Sequence, residues 1–179
     1  MNRSWWMRAA ALVLAVIVTG GVWALRERTQ PTVRFNHFTR EAQRVLQRAQ
    51  EEATRHGHRY IDTAHLLAAV LAEPPGDVSQ ALQAGGLDPG PAAAQLQELL
   101  AAEDRPSDED MGLTPEAKRV VEQTVMEARR FGGGDVRLEH LVLGLLDVDS
   151  ASAGGSLVEH LGGQPAIIRR ALEDRLPRT

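Results

Sequence analysis

Three of the six histidines, His56, His58 and His65, fall close together with Asp62 among them, and imidazole with carboxylate is a donor set that zinc accepts. The spacing argues against a site. His56 and His58 straddle Gly57, a residue expected to end a helix and so to point the two rings apart, and only His65 recurs later, as His140. ATP hydrolysis is excluded more firmly. A nucleotide-binding loop needs Gly-Lys-Ser/Thr, and the single lysine, Lys118, stands between Ala117 and Arg119. Gly132-Gly133-Gly134 follows an expected helix rather than a strand and reads as a loop. Serine, histidine and aspartate all occur, but no Gly-x-Ser-x-Gly turn is present and Gly155-Ser156 reads as loop. Glu41, Glu51 and Glu52 read as solvated helix charges. No catalytic residue, metal, cofactor or nucleotide is expected.

What remains is a pattern that the chain writes twice. Phe38 to Leu71 lies over Leu113 to Leu146 at a constant offset of 75 without a gap. Thr39, Glu41, Ala42, Arg44 and Val45 match Thr114, Glu116, Ala117, Arg119 and Val120. Glu52, Ala53, Arg55 and Gly57 match Glu127, Ala128, Arg130 and Gly132, and His65, Leu66 and Leu71 match His140, Leu141 and Leu146. Identity at these 12 of 34 positions implies two copies of one supersecondary unit.

Each copy reads as helix, glycine break, helix. Thr39 and Thr114 stand where a hydroxyl caps a helix, Glu41 and Glu116 fall in first turns, and Pro115 suits a first helical position. Ala42, Val45, Leu46, Ala49 and Ala53 form one apolar stripe, repeated by Ala117, Val120, Val121, Thr124 and Ala128. The second helix, through His65 to Leu71 and His140 to Leu146, is apolar nearly all round and is expected to be buried. A third helix around Val78, Ala81 and Leu82 ends at Gly85-Gly86, and a fourth opens at Pro89 and Pro91. Leu157, Val158 and Leu161, then Pro165, Ile167, Ile168 and Leu172, repeat that ending. No stretch alternates with period two. The expected fold is all-α: two tandem four-helix repeats, 38–102 and 113–176, about a pseudo-twofold, joined by the acidic linker 103–112.

The residues Phe38-Thr39-x-x-Ala42-x-x-Val45-Leu46, then Glu51-Glu52-Ala53-x-x-x-Gly57-His58-x-Tyr60-Ile61, then His65-Leu66-Leu67, resemble the Clp N-terminal domain. This is the repeat domain that precedes ClpA- and ClpC-type AAA+ unfoldases. The resemblance runs from about Phe35 to Leu176 and implies a non-enzymatic protein-binding module. Its partners would be a Clp-type unfoldase, its adaptors or its substrates; the alternative is a structural interaction module unrelated to proteolysis. It also implies that His65 and His140 bridge helices within each repeat, and that each repeat holds a small pocket able to take a phosphorylated arginine. A threonine at the start of the first helix and a glutamate just before the repeated histidine belong to that pocket. Thr39 and Thr114 match the threonine; Glu139 matches the glutamate, but Ala64 stands in its place in repeat one. The expectation is one site, at Thr114 and Glu139, with Thr39 marking a degenerate equivalent. The competing reading is that both threonines are only caps and Glu139 an exposed first-turn acid.

The 179 residues are 43% hydrophobic and 25% charged, which are globular values. A net charge of −4 suggests no general nucleic-acid surface, and the absence of cysteine excludes disulfides. All three tryptophans lie before the repeats. Trp5, Trp6 and Trp23 bracket the uncharged run Ala9 to Leu25, which reads as a membrane-spanning helix within an anchor of residues 1–25. Arg26, Arg28, Arg34 and Arg40 then favour a cytoplasmic domain beyond a tether of residues 26–37. A cleavable signal peptide ending near Ala24 is the competing reading.

Overall fold

A computed structural model describes residues 37–102, 112–147 and 153–177. Among them lie eight helices and one two-stranded sheet. In chain order these are α1 (Arg40–Arg55), β1 (Tyr60–Ile61), α2 (Thr63–Ala72), α3 (Gly76–Ala84) and α4 (Pro89–Ala102). Then follow β2 (Gly112–Leu113), α5 (Pro115–Arg130), α6 (Leu138–Leu145), α7 (Ala153–His160) and α8 (Pro165–Glu173).

The local signals explain where the helices start and stop. Thr39 Oγ1 accepts from the Ala42 N–H, and Thr114 Oγ1 from the Ala117 N–H, at 3.4 and 3.2 Å. Each hydroxyl thereby satisfies a donor that the helix itself leaves free. After α1 and α5 the chain turns through Gly57 and Gly132, at φ +68° and +110°, a region that side chains rarely adopt. Helix α7 begins earlier than expected and takes in Gly155 and Ser156, so these are helical rather than loop residues.

Burial follows the apolar stripes. Ala42, Val45, Ala49 and Ala53 of α1, and Ala117, Val120, Val121, Thr124 and Ala128 of α5, face inward. The helices α2 and α6 are buried almost all round, with Leu66 and Leu141 both at 0% exposure. Helix α1 packs on α2, α5 on α6, and α2 on α4, while α3 meets α8 and joins the two halves. At that last junction Gly85 has no room for a side chain: a Cβ would lie 2.2 Å from Ile168 Cγ1.

The sheet is the element that the sequence does not announce. β1 and β2 pair in parallel, Tyr60 with Gly112 and Ile61 with Leu113, and an isolated parallel bridge joins Phe38 to Val136. Two residues are too few to show alternation. The pairing is crossed. The segment that opens α1 pairs with the loop before α6, and the segment that opens α5 pairs with the loop before α2. The Thr39 N–H donates to Val136 O at 2.9 Å, and the Thr114 N–H to Ile61 O at 3.0 Å.

One expectation is corrected. A single-pass membrane protein with a cytoplasmic domain is not what is found: no helix among the described residues is long and apolar enough to cross a membrane. The run Ala9 to Leu25 lies outside the described residues, as does the acidic stretch 103–111.

Candidate protein-docking site

Above the sheet lies a groove of about 490 Å³. Leu46 of α1, Ile61 of β1, Leu66, Leu113 of β2 and Val121 of α5 give it an apolar floor, and Gln43, Gln47 and Gln50 line one edge. The glutamines fall at i, i+4 and i+7 of α1, so the helix presents three amides in a row beside an apolar surface. No charged side chain lines the groove. Gln43 Nε2 donates to Phe38 O at 2.9 Å; such a surface can bury apolar side chains while the Gln47 and Gln50 amides donate to and accept from a peptide backbone. It exists because the crossed pairing brings Ile61 and Leu113 side by side. The stripe of α1 predicts Leu46, but nothing local pairs Ile61 with Leu113, which are 52 residues apart in sequence (113 minus 61).

The expected ligand residues are placed as follows. Thr39 and Thr114 cap α1 and α5, one at each crossed junction. Glu139 sits in the first turn of α6, half-buried, with its carboxylate 3.6 Å from Arg137 Nη2. The backbone links Thr39, not Thr114, to the segment leading to Glu139, through Val136. Thr114 is linked instead to Ile61, on the segment leading to Ala64. Two residues assigned to one repeat thus stand at different junctions.

The histidines are organised otherwise than their spacing suggests. Asp62 caps α2, its Oδ1 accepting from the N–H groups of Ala64 and His65 at 2.9 and 3.1 Å. His65 answers through Nδ1, which lies 3.1 Å from the Asp62 backbone nitrogen and 2.8 Å from Asp62 Oδ1. Burial alone would raise the Asp62 carboxyl. The adjacent His65 ring and the N–H groups of His65 and Ala64 outweigh it and hold the carboxyl below its usual value. His65 Nε2 lies 2.8 Å from His58 Nδ1, and the His58 ring centre is 5.7 Å from that of His56. His56 and His58 therefore do not point apart, yet among the described residues no group of three or more such side chains is disposed to hold a metal. In the second half the Arg137 N–H donates to His140 Nδ1 at 3.1 Å, and the His140 ring stacks on Phe131 at 6.4 Å. Burial holds the His140 ring below its usual value, helped by Arg137 and opposed by Glu139 and Glu127. Both repeated histidines thus close the first turn of their own helix, where a bridge between helices was expected.

Glu52 also departs from expectation. Glu41 and Glu51 are exposed, but Glu52 is only 3% exposed, and its counterpart Glu127 4%. Gln97 Nε2 and Arg55 Nη1 donate to the Glu52 carboxylate at 2.9 and 3.0 Å. Arg169 Nη1 donates to Glu127 Oε1 at 3.0 Å, and Arg169 Nη2 to Leu143 O at 3.0 Å. Each buried carboxylate fastens the first helix of its half to the fourth, α1 to α4 and α5 to α8. These are structural ties, and none of their residues lines the groove.

Comparison with known proteins agrees with this architecture. The profile of the Clp repeat (R) N-terminal domain family matches residues 37–160. The chain is 32% identical over 139 residues to the chloroplastic ATP-dependent Clp protease ATP-binding subunit ClpA homolog CD4B of Solanum lycopersicum. That alignment covers 78% of this chain and 15% of the relative. It is 40% identical over 112 residues to the Bacillus subtilis negative regulator of genetic competence ClpC/MecB, covering 63% of this chain and 14% of the relative. The chain thus spans about a seventh of the length of the curated relatives it matches. Among solved structures, the N-terminal domain of the chaperone ClpD from Arabidopsis thaliana superposes with a TM-score of 0.61 at 25% identity, covering 79% of this chain and 98% of that one. By its sequence match and its helical architecture, the chain belongs to the family of Clp repeat N-terminal domains.

Proposed function

We propose that the chain is a non-catalytic protein-binding module that docks substrates or adaptors for, or regulates, a Clp-type AAA+ unfoldase. The observation that carries this reading is the uncharged groove, with its floor of Leu46, Ile61, Leu66, Leu113 and Val121 and its edge of Gln43, Gln47 and Gln50. An unfolded polypeptide offers apolar side chains and unpaired backbone amides, and the groove offers partners for both. Two further points support the reading: the family to which the chain belongs, and relatives whose names place the domain in ATP-dependent Clp proteins. The domain is read as two copies of one four-helix unit, 38–102 and 113–176, about a pseudo-twofold. The exchanged pairs Phe38 with Val136 and Ile61 with Leu113 support this, since the offset of 75 turns one pair into the other. Co-purification of the tagged full chain tests the partner. Recovery of an AAA+ unfoldase is expected, and recovery of other proteins in its absence contradicts the reading.

Within the module, one weak phosphoarginine site is centred on Glu139. Its carboxylate suits a guanidinium, and a capped helix start suits a phosphate. The threonine beside it in this reading is Thr39, by way of Val136, rather than Thr114; the Thr114 junction has Ala64 and lacks the carboxylate. Calorimetric titration of the full chain with phosphoarginine should give one site, lost in Glu139→Ala and kept in Thr114→Ala. Two equal sites, or binding unchanged by Glu139→Ala, reject it.

A further inference from the structure

Helix α1 already binds one extended backbone through a glutamine. Phe38 lies just ahead of the helix, in the segment that bridges to Val136, and Gln43 Nε2 donates to its carbonyl at 2.9 Å. Gln47 and Gln50 follow on the same face of the helix. Both are exposed, and among the described residues neither side-chain amide has a hydrogen-bond partner. Their amides border two open spaces. One is the groove, and the other is a depression of about 610 Å³ lined also by Glu51, Thr54 and Arg55. Thr54 continues the row, but its hydroxyl donates to Gln50 O at 2.8 Å. The second half does not repeat the row: Lys118, Glu122 and Val125 stand at the positions of Gln43, Gln47 and Gln50. The free amides are therefore a property of α1 and not of the repeat.

We infer that Gln47 and Gln50 hold the main chain of an extended polypeptide segment, so that the groove selects its partner by unpaired backbone rather than by side-chain identity. This rests on the docking reading proposed above. Each side-chain amide offers an acceptor oxygen and two N–H donors, which match the N–H and C=O that a residue of an extended segment leaves open. A helix has paired those groups within its own ladder, and a folded sheet has paired them between strands. The residues that line the groove carry no charge with which to select an acidic or a basic partner. Along α1, Gln47 and Gln50 are about 4.5 Å apart, and an extended chain advances about 3.3 Å per residue. The two amides thus serve neighbouring main-chain groups of one short segment, as Gln43 serves Phe38. Successive side chains of such a segment point to opposite faces, so every second one meets the floor of Leu46, Ile61, Leu66, Leu113 and Val121. The partner is an extended stretch with an apolar residue at every second position. A helix that presents the same apolar residues lacks what the amides bind.

Fluorescence anisotropy on the full chain tests this with two labelled probes. One is a peptide of alternating leucine and serine; the other is the same peptide N-methylated at every residue, which keeps the side chains and removes the backbone N–H groups. The parent is expected to bind the unmodified probe at least about tenfold more tightly, the loss that two missing hydrogen bonds imply. Gln47→Ala/Gln50→Ala, two exposed helix positions that suit alanine, should bind the unmodified probe about tenfold more weakly than the parent and no longer separate the two probes. Equal affinity of the parent for both probes, or a preference that keeps its size in Gln47→Ala/Gln50→Ala, overturns the inference and leaves the docking reading standing. Binding of neither probe overturns both.

Discussion

Gly144→Ala sets two opposed effects against each other at the α5–α6 crossing. In a helix interior alanine is favoured over glycine by about 1 kcal/mol. Here, however, a Cβ would stand 2.7 Å from Thr124 Oγ1, 2.8 Å from Val120 O and 2.9 Å from Thr124 N. Two of these atoms are backbone of α5 and cannot rotate aside, so the helices must separate. Overpacking of this kind costs about 1–3 kcal/mol, which outweighs the propensity gain in most of that range. A net loss of up to about 2 kcal/mol is expected. The first half has the opposite distribution of volume, Ala49 and Ala69, both buried, where the second has Thr124 and Gly144. Thr124→Ala removes the hydroxyl that bonds Val120 O at 2.7 Å and alone should cost about 1 kcal/mol. In Gly144→Ala/Thr124→Ala the second half takes on the first half's pair. The double variant should therefore be more stable than the sum of the singles by about 1 kcal/mol. Urea unfolding of the four proteins measures the cycle. A stabilising Gly144→Ala, or strictly additive singles, would refute the close-approach reasoning.

Leu66→Ala and Leu141→Ala should each cost about 2–5 kcal/mol in the same assay, and a loss under about 0.5 kcal/mol would mean that α2 or α6 is not the buried helix. Glu127→Ala removes one of the two carboxylates on Arg169, leaving Glu173 Oε1 at 3.2 Å, and should cost about 1–3 kcal/mol, whereas exposed Glu51→Ala should change stability by less than about 0.5 kcal/mol; similar values for the two would contradict the burial of Glu127. Because burial depresses His140, its folded value lies below its unfolded one. Its contribution is present above about pH 6.5 and is lost as pH falls through the folded value. Replacement by Phe should flatten the acid limb of the stability curve between pH 6.5 and 5, and an unchanged limb would count against this.

The helices are legible because their signals are local. Thr39 and Thr114 announce starts, Gly57 and Gly132 announce stops, and one stripe of alanine and valine marks each inward face. What escapes the sequence depends on partners far along the chain. Glu52 and Glu127 look like any acid on a charged helix; their burial comes from Gln97 and Arg169, 45 and 42 residues away. Ile61 and Leu113 form β-structure only because the two halves exchange the segments ahead of their first helices, which two residues cannot announce. The same exchange separates Thr114 from Glu139, although an offset within one repeat suggests that they belong together. The histidine cluster was legible as a cluster but not as a cap and a buried pair, because which nitrogen meets which partner is set by the loop geometry around β1.

The central claim is that the groove between α1 and the β1–β2 pair docks unfolded polypeptide. Gln47 and Gln50 are exposed, so Gln47→Glu/Gln50→Glu places two carboxylates at its edge and keeps the bond from Gln43 Nε2 to Phe38 O. Fluorescence anisotropy with a labelled, reduced and carboxymethylated unfolded protein as the probe reads binding to the full chain directly. Affinity at least about tenfold weaker than the parent's is expected for this variant, as burying an uncompensated charge against apolar surface requires. Met126→Gln, at an exposed site on α5 away from the groove, should bind as the parent does. Equal binding by the parent and the Gln47→Glu/Gln50→Glu variant would contradict the claim.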